Sequence, residues 1–435
     1  LVIRRQRQMC IRDSANFGKH VAISGDGNWI AVGQDNFTPD GGRVYMYRKW
    51  TNTMKFAGIV TDSSGISFGG ALDLNYDGSR LIVADASGSR VHVYDMDITF
   101  RSVGYDVWQY TDYSYSLNAT FSDDHGDGYA TSVEISRDGN SIIIGYPTAN
   151  SGRGAVRVFT YDASSPADAN MASANYGPVG WKIKGQNPIY GVSTTSSIGL
   201  HAHSLAINRD GTVIAFGSSG DNAIWVYQYD DSTSTWVSKG TQDGDYLFHN
   251  SLFSGGDGLG TNVSLDNSGN LVSFGFKDAN DLSGNVKNGA VAVFQYDATK
   301  TNKVIYQPGT SQADSLNFGP IGWRLLGSDL HFQSSNAQNS DGEFGALATA
   351  ISGDGTTVIG GDPHYVSNLA AYTKRGNMVV YETGITRTIT TTRAIRNPML
   401  RSLRHFTNNY YKPYLYARPG DTCLLYTSPS PRDGR

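Results

Sequence analysis

One short phrase recurs six times along this chain and constrains its fold more than any other feature. Each copy has alternating apolar residues, an Asp-Gly turn (Ser-Gly in the fifth copy), and a second alternating run that ends near a glycine. Alternation with a period of two on both sides of such a dipeptide predicts a β-hairpin with a tight two-residue turn. The copies are VAISGDGNWIAVG (21–33), LDLNYDGSRLIVA (72–84), VEISRDGNSIIIG (133–145), LAINRDGTVIAFG (205–217), VSLDNSGNLVSFG (263–275) and TAISGDGTTVIGG (349–361). The predicted turn residues are Asp26, Gly27, Asp77, Gly78, Asp138, Gly139, Asp210, Gly211, Ser268, Gly269, Asp354 and Gly355.

Two further strands are predicted after each hairpin. The third strands read GRVYMY (42–47), SRVHVY (89–94), GAVRVF (154–159), NAIWVY (222–227), GAVAVF (289–294) and GNMVVY (376–381). The fourth, weaker strands centre on tryptophan at Trp50, Trp108, GWKIKG (180–185), WVSKG (236–240) and GWRLLG (322–327). Successive turns lie 51, 61, 72, 58 and 86 residues apart, a unit size that favours propeller blades over helical solenoids. We therefore predict an all-β fold, a β-propeller of six four-stranded blades, with seven blades as the second choice. The predicted closing strand of blade six is 385–390.

The two ends of the chain match neither the repeats nor each other as protein sequence. Residues 9–13 and 423–428 can nevertheless be encoded by DNA stretches that are reverse complements over most of their length, which is typical of transposase-type sequencing adaptors. We therefore expect 1–14 and 423–435 to be translated adaptor sequence, and we leave them out of fold reasoning. The expected organisation is propeller repeats over 15–384, then the closing strand and a basic tail over 385–422.

Charge and cysteine content weigh against several classes of function. Both cysteines, Cys10 and Cys423, lie in the suspected adaptor segments, so we expect no disulfide framework, cysteine-ligated metal or cysteine nucleophile. The repeats hold 22 basic and 36 acidic residues, a net charge of −14, which argues against nucleic acid as the main partner. The tail over 386–422 instead holds seven basic residues and one acidic residue. No apolar run is long enough to span a bilayer.

An aromatic–glycine step or its remnant precedes most of the hairpins. The steps are Phe17-Gly18, Phe68-Gly69, Tyr129-Ala130, Leu259-Gly260 and Phe344-Gly345. On these residues the chain resembles the FG-GAP, integrin-α-like β-propeller repeats over about 15–384, although the second half of that motif survives only at 145–147 and 361–363. The resemblance implies a ligand-binding or adhesion module, usually extracellular or at the cell surface. It also implies a calcium loop between the first two strands of a blade. A two-residue turn there leaves no room for a ring of oxygen ligands, so calcium is disfavoured and no cofactor is predicted.

One loop nearly fits the spacing of an EF-hand calcium site. Asp123, Asp127 and Glu134 stand at positions 1, 5 and 12 of that spacing, with a glycine at position 6. His125 occupies position 3, no helices flank the loop, and Glu134 falls inside a predicted strand. An ordinary polar loop between blades is therefore favoured over a metal site.

Three weaker patterns have simpler explanations than a functional site. Residues 65–69 read G-x-S-x-G, but a nucleophile elbow needs a strand–turn–helix context, and this stretch leads into a strand. His201 and His203 could share a strand face as metal ligands, yet no third ligand of matching placement is visible. Glycosylation sequons at Asn36, Asn118 and Asn262 are no more frequent than chance predicts in so serine- and threonine-rich a chain.

The predicted function is non-catalytic binding of an unknown protein or glycan ligand on one propeller face. The contacts are expected from long insertions at about 98–127, 161–177, 241–258, 276–288 and 327–343. Two alternatives stay open. A propeller hydrolase or lyase would need carboxylates or histidines from several blades to converge over the central channel. An intracellular interaction scaffold would be supported by a full-length transcript without a signal peptide.

Overall fold

The computed structural model describes the repeats in a series of stretches. They are residues 16–35, 41–51, 53–62, 67–102, 108–122, 127–185, 188–253, 258–276, 289–305, 318–327, 331–332, 349–362 and 377–384. The described blades lie in one compact unit that ends at Thr383. The predicted closing strand at 385–390 and both suspected adaptor segments lie outside the described residues.

In the described residues, twenty-six strands form six antiparallel sheets, which we number as blades in chain order. Blade 1 holds β1 (Phe17–Ile23), β2 (Trp29–Gln34), β3 (Arg43–Trp50) and β4 (Thr53–Thr61); blade 2 holds β5 (Phe68–Leu74), β6 (Arg80–Asp85), β7 (Arg90–Ser102) and β8 (Trp108–Ser122). Blade 3 holds β9 (Ser132–Ile135), β10 (Ser141–Tyr146), β11 (Ala155–Tyr161), β12 (Trp181–Ile183) and the short β13 (Ile189–Tyr190). Blade 4 holds β14 (Leu205–Ile207), β15 (Val213–Ser218), β16 (Ala223–Asp230), β17 (Thr235–Ser238) and β18 (Phe248–His249). Blade 5 holds β19 (Ser264–Leu265), β20 (Leu271–Phe276), β21 (Ala290–Tyr296), β22 (Trp323–Leu325) and β23 (His331–Phe332), and blade 6 holds β24 (Thr349–Ile351), β25 (Thr357–Asp362) and β26 (Asn377–Glu382).

The blades repeat one topology, in which consecutive strands pair from the innermost outward. Each inner strand also packs against the inner strand of the next blade, from β1 through β5, β9, β14 and β19 to β24. The predicted all-β propeller of six blades is therefore confirmed. In the described residues the only helical segments are Ala149–Gly152 and a 3-10 turn at Asn250–Phe253.

The hairpin turns lie where the sequence predicts, but the predicted turn type is wrong. In blade 1 the strands are joined by five residues, 24–28, rather than two, and the Gly27 N–H donates to the Ser24 carbonyl at 2.8 Å. Only the glycine of each turn is left-handed, with φ between 64° and 77° over the six copies, whereas the two-residue turn needs positive φ at both central residues. The argument against calcium that rested on a two-residue turn therefore no longer holds.

A polar residue two positions before each turn aspartate or serine closes the longer turn. Its side chain accepts a hydrogen bond from the first backbone N–H groups of the second strand, at 2.9–3.0 Å in all six copies. The six acceptors are Ser24, Asn75, Ser136, Asn208, Asp266 and Ser352. Because short polar side chains readily satisfy backbone donors in this way, the same turn forms in every blade.

Two predictions about the outer strands are wrong in blades 1 and 2. Trp50 ends the third strand of blade 1 rather than centring the fourth, and it is 52% exposed. The predicted insertion at about 98–127 is instead largely a long hairpin, because β7 and β8 pair from Arg90 opposite Ser122 to Ser102 opposite Trp108. Added length in this blade extends the ladder of backbone hydrogen bonds.

Glycines bring neighbouring blades into backbone contact. A Cβ on Gly33 would overlap the carbonyl of Gly69, and a Cβ on Gly217 would lie 2.6 Å from the Cα of Gly260. The glycine that ends the repeated phrase therefore packs on the glycine of the next blade's aromatic–glycine step. Gly145 meets Gly199 in the same way across the third seam.

Tryptophans at the start of the fourth strands join blades 2 to 5. The indole N–H of Trp181 donates to Asn118 Oδ1 at 3.0 Å, that of Trp236 to the Lys184 carbonyl at 2.8 Å, and that of Trp323 to the Lys239 carbonyl. Each acceptor belongs to the preceding blade. Cations of the preceding blade also lie over aromatic rings, with Lys184 Nζ 5.0 Å from the Tyr229 ring centroid. The tryptophans are therefore seam residues.

The first blade has one apolar face that is largely uncovered. Val21 and Ile23 are 52% and 60% exposed, whereas the equivalent residues of the other inner strands are at most 9% exposed. In those strands the preceding blade covers them. Blade 6 exposes Met378 and Val380 on β26 in a similar way, at 61% and 56%. The described residues therefore do not seal the seam between blades 6 and 1.

Candidate ligand-binding site at the turn face

The six hairpin turns surround one end of the central channel, which we call the turn face; the opposite end is the loop face. Backbone hydrogen bonds join the turns in sequence around this opening. Asp26 N donates to Tyr76 O, Tyr76 N to Arg137 O, Asp138 N to Arg209 O, Arg209 N to Asn267 O and Asn267 N to Gly353 O, at 2.8–3.3 Å. These five bonds link the six turns in a row and hold each turn to its neighbour, unlike loops that have no such hydrogen bonds.

The residue just before each turn aspartate or serine is the variable position of the repeated phrase. In the six copies it is Gly25, Tyr76, Arg137, Arg209, Asn267 and Gly353. The flanking polar residue and the turn dipeptide are needed to build the turn, but this position is not. It lies on the ring itself, so its side chains line the mouth of the channel.

A cavity of about 510 Å³ lies at this mouth. Its lining is polar except for one aromatic ring, and it comes from the inner turns rather than from the long insertions. The lining residues are Asn75, Tyr76, Asp77, Ser79, Arg137, Asp138, Arg209 and Asn267. A second cavity of about 140 Å³ lies between blades 2 and 3, among residues such as Phe121, Phe159 and Tyr176. These rings pack against the core, so the larger, polar cavity is the better candidate site.

Arg137 reaches across the mouth from blade 3. Its Nη1 donates to Asn267 Oδ1 of blade 5 at 2.8 Å, and its guanidinium carbon lies 5.3 Å from the Tyr76 ring centroid. A Cβ on Gly25 would come within 3.0 Å of the guanidinium, and a Cβ on Gly353 would overlap it. The two glycines of the variable position therefore leave the space that this arginine fills.

Two acidic side chains from different blades meet inside the channel. The Ile135 N–H donates to Asp73 Oδ2 at 3.0 Å, and the Ile207 N–H donates to Glu134 Oε2 at 3.1 Å, so each carboxyl bonds to the next blade. Burial raises the pKa of Asp73 to about 7. Burial and then the nearby Asp73 charge raise the pKa of Glu134 well above its usual range. Both side chains keep some surface accessible in the channel, but the enclosing protein wall still disfavours two negative charges there.

A second polar cluster lies at the loop face, between blades 1 and 2. His92 Nε2 lies 3.2 Å from Asp62 Oδ2, and Arg90 Nη2 lies 2.9 Å from Asp85 Oδ2 and 3.6 Å from Asp62 Oδ2. Asp62, Asp85 and His92 could together offer three ligands to a metal ion. The Arg90 guanidinium already balances both carboxylates, and burial lowers the pKa of His92. This arrangement is that of an ion-pair network that joins two blades.

Two candidate ligands of the predicted EF-hand-like loop, Asp127 and Glu134, are described, and each is engaged in a different place. Asp127 forms an ion pair with the buried Arg157, whose Nε donates to Asp127 Oδ2 at 2.8 Å. Glu134 lies in β9 and faces Asp73. Asp123 and His125 lie outside the described residues.

The other sequence candidates also have separate structural roles. His201 Nε2 lies 3.2 Å from Ser219 Oγ, whereas the ring of His203 lies 6.4 Å from that of His20 across the channel. Burial, followed by the charges of His203 and Lys19, lowers the pKa of His20 to about 4. Ser67 leads directly into β5, as predicted.

Two of the three sequons carry asparagines that are already engaged. Asn118 donates to Asp95 and accepts from Trp181, and Asn262 is 0% exposed. Asn36 lies outside the described residues. In the part of the chain that is described, no helix has the length and hydrophobicity of a membrane span.

No protein-family model and no curated protein matches this chain in sequence. Solved structures match it in shape. The Chaetomium thermophilum Sqt1 structure, bound to the N-terminus of ribosomal protein L10, is 15% identical with a TM-score of 0.42, over 81% of this chain and 73% of that one. The Myceliophteria thermophila Cps50 (Swd1) β-propeller domain is 12% identical with a TM-score of 0.43, over 81% of both chains. A candidate 6-phosphogluconolactonase of Bacteroides uniformis is 11% identical with a TM-score of 0.45, over 84% and 88%. All three TM-scores are below 0.5, so these likenesses carry no argument about ligand or reaction.

Proposed function

We propose that this protein is a non-catalytic binding propeller that holds a protein ligand over the mouth of the channel on its turn face. The observation that carries the proposal is the polar cavity ringed by the variable turn residues, with Tyr76 49% exposed at its edge. Exposed tyrosines next to arginines are typical of binding hot spots, because they offer apolar area and hydrogen bonds at low entropic cost. The hydrogen bonds between neighbouring turns keep this surface in place before a ligand arrives, which lowers the cost of binding.

The channel carboxyls support a binding role over a catalytic one. An enzyme needs carboxylates or histidines from several blades to converge, and Asp73 and Glu134 do meet. Each, however, accepts a backbone N–H of the next blade at 3.0–3.1 Å. These hydrogen bonds satisfy donors that would otherwise be buried without partners. Their proposed role is to hold blades 2, 3 and 4 together.

The proposal also includes a family, the FG-GAP, integrin-like propellers, and a location, the cell surface. An FG-GAP, integrin-like module at the cell surface is supported by the aromatic–glycine steps of the sequence and by their place at the blade seams. No resident metal or cofactor is proposed.

The binding proposal is tested by screening the full chain against peptide and glycan arrays and measuring the Kd of the best binder by calorimetry. Tyr76→Ala should weaken binding at least about tenfold, as expected for an aromatic hot spot. Tyr190→Ala is the matched control, because Tyr190 is 41% exposed but pairs with Ala155 at the loop-face end of blade 3. It should leave the Kd unchanged.

Two results would count against the proposal. One is a set of arrays without any binder. The other is a binder that loses affinity with Tyr190→Ala and not with Tyr76→Ala, which would move the site to the loop face.

A further inference from the structure

Two arginines at the turn face have no carboxylate partner within the described part of the chain. Arg209 is exposed, and its guanidinium has no hydrogen bond or ion pair there. Arg137 bonds to the neutral amide oxygen of Asn267 and lies over Tyr76. By contrast, Arg80 is paired with Asp95 at 2.6 Å, and Arg157 is paired with Asp127. Both unpaired cations line the same cavity.

The aspartates at this mouth do not neutralise the two arginines. Asp138 Oδ1 accepts from Ser136 Oγ at 2.5 Å and from Asn140 N at 2.9 Å, so it serves its own turn. Asp77 Oδ1 accepts from Ser79 N at 3.0 Å. Because these carboxylates are held by their turns, the guanidinium donors of Arg137 and Arg209 remain available to a ligand. A guanidinium matches a carboxylate in charge and geometry, and such pairs are among the stronger hydrogen bonds in proteins.

The residues that line the mouth indicate what kind of ligand carries the carboxylate. The turns of blades 2 to 5 line the cavity with polar side chains, whereas small-molecule sites are usually mostly apolar. Tyrosine and arginine are enriched at protein interfaces, and this mouth carries both, with Tyr76 49% exposed beside Arg137. A side chain that projects from a partner can reach the centre while the partner's surface rests on the ring.

We infer that the partner of the turn face is a protein that inserts an aspartate or glutamate side chain between Arg137 and Arg209. This inference rests on the proposed binding function and adds the chemistry of the partner.

The test uses three probes: peptides with one or two glutamates in a fixed Gly-Ser frame, the same peptides with glutamine, and galacturonate oligosaccharides. The full chain is titrated with each probe by calorimetry at two salt concentrations. We expect the glutamate peptides to bind about tenfold or more tightly than their glutamine counterparts, and more weakly at the higher salt concentration. Arg209→Ala should reduce glutamate-peptide affinity about ten- to a hundredfold, and Arg209→Lys should restore part of it. Arg153→Ala is the control, since Arg153 is exposed at the loop-face end of blade 3.

Other results would contradict either the acidic side chain, the protein partner or the inference as a whole. If glutamate and glutamine peptides bind with equal affinity, or if Arg209→Ala has no effect, the inference that the partner inserts an acidic side chain is wrong. A binding site at the turn face is still supported if Tyr76→Ala weakens binding. If only the galacturonate oligosaccharides bind, and Arg209→Ala weakens that binding, the inference that the partner is a protein is wrong. A chain that binds none of the three probes overturns the inference, and the array screen then decides the binding function separately. Unchanged thermal melting of the Arg209 variants shows that any loss is not a folding defect.

Discussion

Replacing Gly217 with alanine is expected to destabilise the propeller by about 3 kcal/mol, the upper part of the usual range for overpacking. Gly217 is the next-to-last residue of β15, and a Cβ there would overlap the carbonyl oxygen of Gly260 and lie 2.6–2.7 Å from its Cα and carbonyl carbon. All three atoms belong to the backbone of the next blade, so no side chain can rotate away. The seam between blades 4 and 5 would have to open.

The measurement is the shift of the urea unfolding midpoint, followed by tryptophan fluorescence. Gly58→Ala is the matched control, because the nearest atom to its added Cβ is the Tyr113 carbonyl oxygen at 3.7 Å. It should change the midpoint little. Equal shifts for the two variants would show that loss of glycine flexibility, and not the contact between blades, sets the effect.

The sequence showed both halves of this contact without showing that they meet. The glycine at the end of the repeated phrase and the aromatic–glycine step are separate patterns along the chain. They come together only because each blade packs against the next. In blade 4 the step is Ile198-Gly199, in which an isoleucine stands where the other blades have an aromatic residue or leucine. Gly199 has φ of 77° and contacts Gly145, so the glycine is the essential half.

The sequence also predicted the positions of the hairpin turns without predicting their length. An Asp-Gly dipeptide between alternating runs located every hairpin but did not give the loop length. The signal for the longer loop is the serine, asparagine or aspartate two residues before the turn residue, which bonds five residues ahead. Read with that residue, the phrase predicts a five-residue connection.

The candidate site could be predicted only in part. Variation at the position before the turn residue is visible once the six copies are aligned, and a scaffold needs no such variation. The sequence does not show that Arg137 crosses the mouth or that Gly25 and Gly353 leave room for it. Both facts depend on distances between blades that are far apart in sequence. Asp73 and Glu134 are likewise 61 residues apart, and each looks like an ordinary polar residue in an alternating strand.

Replacing Asp73 with asparagine should stabilise the propeller at pH 8 and have little effect near pH 4. Because burial raises the pKa of Asp73 to about 7, the folded state binds more protons than the unfolded state between about pH 4 and 7. Stability is therefore lost as pH rises through that window, by an amount on the order of 4 kcal/mol for three pKa units. Asparagine keeps an oxygen acceptor for the Ile135 N–H but never ionises, so the variant should melt several degrees higher at pH 8.

The measurement is the melting temperature of the wild type and the variant at several pH values from 4 to 8. Glu134→Gln should act in the same direction, and the double variant should gain less than the two single gains together, because removing either charge relieves the other. Asp162→Asn is the control of opposite sign. Its hydrogen bond from Lys182 lowers the pKa of Asp162 to about 2, so its ionised form favours the folded state above pH 4. If Asp73→Asn were destabilising at pH 8, the carboxylate would be ionised and needed there. Asp73 and Glu134 would then form a charged site in the channel, and a catalytic role would be favoured over a structural one.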